Sequence, residues 1–116
     1  METKTMDNYT GITIQEIFEM RKMGLHESAY VAASQKYKEH QGHYTTLCKF
    51  WTASDVCRAR IETWKLDEAE KVIGEMTDIL PKLIDRDGAA KKAVEKLLAM
   101  LNKARNTVNV LGVMQP

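Results

Sequence analysis

Helix breakers are nearly absent from this chain, and that constrains its fold more than any other feature. Among 116 residues the only prolines are Pro81 and the terminal Pro116, and the six glycines are scattered singly. Residues 43–73 contain neither. Proline removes a backbone donor and clashes with the preceding turn, and glycine costs backbone entropy, so stretches free of both can run uninterrupted as helix. Apolar residues recur at spacings of three and four, and no segment alternates with the period of two that marks a half-buried strand. The chain is predicted to be all-α.

Five helices follow from where that period starts and stops. Thr13 and Glu16 form an S/T-x-x-E capping box, in which each side chain satisfies an orphan backbone donor of the first turn. A helix is therefore expected over about 14–23, with Ile14, Ile17, Phe18 and Met20 as its apolar positions, ended by Gly24. Leu25, Ala29, Ala32, Ala33 and Tyr37 mark a second helix to about His40. After Gln41-Gly42-His43 a third, 44–64, carries Phe50, Ala53, Cys57, Ile61 and Trp64, with Tyr44, Leu47 and Trp51 on an adjoining arc. An apolar sector that wide implies neighbours on more than one side. Asp67 is the expected cap of a fourth helix, striped by Ala69, Val72, Ile73, Met76 and Leu80 and closed by Pro81. The fifth opens near Asp87-Gly88 and aligns Ala90, Val94, Leu97, Leu98, Leu101, Ala104 and Val108.

Residues 1–12 show no periodicity and are expected to be flexible, leaving 13–116 as one domain built from hairpins 13–41 and 43–82 and a closing helix 86–109. Hydrophobic residues make up 44% and charged residues 28%, which excludes disordered, fibrous and membrane classes. Seventeen basic against sixteen acidic residues leave a net charge of +1, so no field of the whole molecule draws it to nucleic acid or anionic lipid. No stretch approaches the roughly 18 apolar residues of a spanning helix and no apolar h-region opens the chain, so no membrane contact and a cytoplasmic location are expected. Cys48 and Cys57 lack C-x-x-C spacing and are read as free thiols.

The two hairpins align on Gly24-Leu25-His26-Glu27-Ser28-Ala29 and Trp64-Lys65-Leu66-Asp67-Glu68-Ala69, 40 residues apart. This resembles the tetratricopeptide repeat, a helix-turn-helix unit with small residues where its helices cross and a proline near its end. Ala69 falls at the small position, Ile73 at the large one four residues on, and Pro81 at the terminal proline. The first-helix signature W-x2-L-G-x2-Y is absent, and 40 exceeds the family's spacing of about 34. Over 13–82 the resemblance implies antiparallel helical hairpins stacked in a right-handed superhelix. It also implies a non-catalytic interaction module that binds a segment of another protein in its inner groove.

Under that resemblance Tyr44, Trp51, Arg58 and Glu62 on the third helix, with Phe18 and Arg21 on the first, are the candidate partner-binding residues; Ile14 and Lys22 fall at corresponding positions. Aromatic and arginine side chains are typical binding anchors. Core packing is the competing account of Trp51, Ile14 and Phe18, while Arg21 and Lys22 suit a helix C-terminus. Lys92, Lys96 and Lys103 line the fifth helix opposite its leucine stripe, and contact with nucleic acid phosphates is the alternative function.

No metal or cofactor is expected. His40, His43, Cys48 and Cys57 are ligand types, yet the cysteines lie nine residues apart on opposite faces of one helix. Nucleophile, metalloprotease, phosphate-loop and dinucleotide motifs are all missing, so no enzyme is expected; only a spatial pairing of His43 with Cys48 stands open. The apolar tail Val108, Val110, Leu111, Val113 and Met114 either folds back beyond a helix end near Asn109 or packs on a partner, with a homodimer as the expected form.

Overall fold

Thr13 starts the first helix as its sequence foretells. Its Oγ1 accepts from the Glu16 amide at 3.1 Å and its own amide donates to Glu16 Oε1 at 2.8 Å. The computed structural model describes residues 11–114. Five helices are present: α1 Ile14–Lys22, α2 His26–Glu39, α3 His43–Glu62, α4 Leu66–Ile79 and α5 Ala89–Met114. A short 3-10 turn, Leu80–Lys82, carries Pro81 at the end of α4. There is no strand among the described residues, and the fold is all-α. The stretch expected to be flexible lies, over residues 1–10, outside the described residues. Ile12 packs onto the α1–α2 core.

Each helix packs on the one that follows it, and α3 also touches α1 and α5. The contacts define two layers, α1-α3-α5 and α2-α4. α3 is the centre, and its two sides bury different cores. Cys48 joins Ile17, Ala29, Ala32 and Ala33 on one side. Phe50, Ala53, Val56 and Cys57 meet Val72, Ile73, Met76, Leu97 and Leu101 on the other. Both cysteines are fully buried and unpaired. Their nine-residue separation, about 900° of rotation, turns them to opposite sides of α3.

The turns α1–α2 and α3–α4 are built alike. The Leu25 amide reaches Met20 O at 3.0 Å and the Lys65 amide reaches Arg60 O at 2.8 Å. Gly24 N bonds Arg21 O and Trp64 N bonds Ile61 O, at 3.0 and 3.1 Å. These are the paired bonds of a Schellman cap, which satisfies the last carbonyls of a helix through one left-handed residue. Ala29 and Ala69, the small residues just beyond, are both fully buried.

Two boundaries differ from the sequence reading. Asp67 does not cap α4: the N-cap is Lys65, without a side-chain bond, and Asp67 instead meets Arg105. The start of α5 at Ala89, beside Asp87-Gly88, is as expected: Asp85 accepts from the Ala90 and Lys91 amides at 2.9 and 3.0 Å, and Asp87 accepts from Ala89. And α5 does not stop near Asn109 but continues to Met114. Its stripe stays buried from Ala90 through Ala104, whereas Leu98, Val108, Val110 and Leu111 are exposed. The helix continues beyond the Leu66 end of α4, which Arg105 meets, so the tail does not fold back.

Candidate functional site

The seam between α1 and α3 is fixed by a charge pair. Arg21 Nε donates to Asp55 Oδ2 at 2.6 Å and its Nη2 to Oδ1 at 3.2 Å, a bidentate arrangement with both side chains about three-quarters buried. The Arg21 guanidinium also sits 5.8 Å from the centre of the Phe18 ring. His26 Nδ1 lies 3.6 Å from Asp55 Oδ2. Phe18, Arg21, Lys22, His26 and Asp55 together line an open depression of about 460 Å³.

Asp55 stands one helical turn beyond Trp51 and one before Arg58, which places the expected strip of α3 beside this seam. On one side of the strip lie Asp55 and Cys48, turned to α1 and α2; on the other lie Ser54, Phe50 and Ile61, buried toward α4 and α5. Trp51 is part of both surfaces. It is half-buried, edge-on to Phe50 with ring centres 5.0 Å apart, and packs against the larger core. Tyr44, Arg58 and Glu62 are exposed. Tyr44 leaves 68% of its surface open and meets the His43 ring at 4.9 Å. From Tyr44 to Glu62 the strip is about 27 Å long. Tyr44 and Glu62 therefore mark its two ends rather than the walls of one pocket.

Asp55 and His26 were not singled out from sequence. Asp55 did carry a signal, since it falls at i+4 from Trp51 and so on the same arc. A second polar cluster left none. Lys49, with a side chain only 11% exposed, bonds Glu75 at 2.9 Å and Ser34 Oγ at 2.7 Å, and lies 4.7 Å from the Tyr30 ring centre. Tyr30 donates to Glu75 at 2.5 Å. Burial, and then the Glu75 carboxylate, raise the Tyr30 phenol far above its usual range. These partners come from α2, α3 and α4, and every polar group is satisfied. The cluster clasps three helices together.

The residues weighed for chemistry do not assemble. Burial pushes both thiols up to about 11, only partly offset by Arg21 beside Cys48 and Arg60 beside Cys57, so both are held protonated. His43 is exposed at the start of α3 while Cys48, five residues on, is buried toward α1 and α2. They do not form a base–nucleophile pair. Among the described residues no three His, Cys, Asp or Glu side chains come together as a metal set. No helix among them is long and apolar enough to cross a membrane.

The lysines of α5 are exposed, and Arg105 shows which way they face. Its Nη2 bonds Glu70 Oε1 at 2.5 Å and Asp67 Oδ1 at 3.3 Å, so that flank of α5 lies on α4. Lys96 and Lys103 are roughly 160–180° away around the helix, and Lys92 about 140°. Compared with protein-family models, with curated proteins and with solved structures, the chain matches none.

Proposed function

We propose that this chain is a non-catalytic protein-interaction module of tetratricopeptide-like construction. It holds a segment of a partner protein along the α1–α3 face. The observation that carries this reading is the Arg21–Asp55 pair, which draws Phe18 and Arg21 of α1 against the strip of Trp51 and Arg58 on α3. A half-buried tryptophan rooted on Phe50 supplies a rigid anchor at small entropic cost, and arginine adds directional hydrogen bonds. The like-built turns at Gly24 and Trp64, with the buried alanines that follow each, support the hairpin construction. Protonated, enclosed thiols and scattered histidines support a role without catalysis.

Tyr44 and Arg58 are both exposed, so changing them tests the face without opening the core. Affinity capture with the full chain, read by mass spectrometry, is expected to recover proteins lost from a Tyr44→Ala/Arg58→Glu variant of unchanged circular dichroism. Capture of the same set by the variant would overturn the assignment of this face.

A further inference from the structure

We infer that the partner segment is acidic, because the α5 lysines and the α3 strip belong to one continuous cationic face. The inference rests on the proposed interaction face and names the chemistry of what it binds. Three placements carry it. Arg105 fixes one flank of α5 on α4, which turns the opposite flank, Lys92, Lys96 and Lys103, to the side of α5 away from α4. Asp55 fixes one edge of the α3 strip toward α1, while Phe50 and Ile61 on its other edge enter the core shared with α5. α3 and α5 are in contact, so the strip of Trp51 and Arg58 and the lysine flank border each other on the α1-α3-α5 layer.

The charge on that face is open. Arg21, Arg60 and Arg105 are each ion-paired, whereas Arg58, Lys92, Lys96 and Lys103 form no ion pair among the described residues. Acidic residues gather on α4 instead, as Asp67, Glu68, Glu70, Glu75 and Asp78 against the single Lys71. A chain of net charge +1 is thus divided into a basic layer and an acidic helix. A complementary partner steers onto such a layer and fixes its register there.

A protein segment fits better than a nucleic acid. Trp51 is committed edge-on to Phe50, so Tyr44 is left as the only largely open ring of the strip and no platform for successive bases is formed. A strip of about 27 Å accepts about 18 residues of helix or about eight of extended chain.

Panning a library of random dodecapeptides on phage against the full chain tests the inference, with a fluorescein-labelled oligo-dT as the second probe. The selected pool is expected to be enriched in Asp and Glu together with aromatic or leucine residues. A synthetic member of that pool should lose at least about tenfold in affinity on Lys92→Glu/Lys96→Glu/Lys103→Glu, and weaken as salt rises. A neutral or basic pool that is nonetheless lost on Arg58→Glu would overturn the acidic partner and leave the interaction face standing. Peptides indifferent to both variants would overturn the face as well. Tighter binding of the oligonucleotide than of any peptide, or no enrichment at all, would overturn the inference.

Discussion

Gly24 and Trp64 hold the same left-handed backbone, with φ of 80° and 63°, at the ends of α1 and α3. Glycine takes this conformation freely, and a side chain with a Cβ is strained by about 1–2 kcal/mol. A Cβ built on Gly24 meets nothing within 4 Å, so Gly24→Ala isolates the backbone cost and is expected to lower stability by about 1 kcal/mol. At Trp64 the comparison runs between two replacements that both remove the indole. Trp64→Gly should be more stable than Trp64→Ala by about 1 kcal/mol in urea unfolding, and equal stabilities would contradict the shared turn geometry.

The Arg21–Asp55 pair should behave as a coupled unit. Removing Asp55 leaves a guanidinium three-quarters buried beside Phe18 with its fork unfilled. A double-mutant cycle of Arg21→Ala and Asp55→Ala is expected to give a coupling of about 1–2 kcal/mol. A coupling near zero would mean that solvent screens the pair and that it does not fix the α1–α3 seam.

The buried thiols make the fold sensitive to alkali. Their folded values lie at about 11 against an ordinary 9.0, so the folded chain holds these protons more tightly than the unfolded one. Their contribution is whole below pH 9 and declines as pH climbs toward 11. Tyr30 acts in the same sense, so the control is Cys48→Ala/Cys57→Ala, whose urea midpoint should fall less between neutral and strongly alkaline pH than that of the wild type. At neutral pH both thiols should react with a disulfide reagent only on unfolding.

Leu101 and Leu111 lie on neighbouring arcs of α5, about 80° apart, and should respond differently. Leu101 is 3% exposed and Leu111 53%. Leu101→Ala is expected to cost about 2–4 kcal/mol in the isolated chain, and Leu111→Ala under about 1 kcal/mol. Equal losses would show that the end of α5 is covered in solution, as in the expected homodimer.

Helix positions were legible because they depend on neighbours within a turn or two. Thr13 and Glu16 declared the start of α1, Gly24 its end, and the nine-residue spacing of Cys48 and Cys57 their opposite faces. The boundaries that shifted have separate causes. Asp67 is a good capping residue taken up by Arg105, and α5 outruns Asn109 because nothing in its own turns stops a helix there. At the candidate face, the residues that share an arc of α3 followed from rotation alone. That Arg21 would choose Asp55 did not, because 34 residues separate them.

What the sequence determined by itself is therefore local: five amphipathic helices, their faces, and two like turns, each written in spacings of three, four and 40 residues. The tertiary structure decided which faces meet. Packing α3 between α1 and α5 made Trp51 half core and half surface, clasped Lys49 to Glu75, and turned the α5 lysines away from α4. Helical periodicity fixes the direction of a side chain about its own axis, but only burial of the stripes against one another fixes the axes in space.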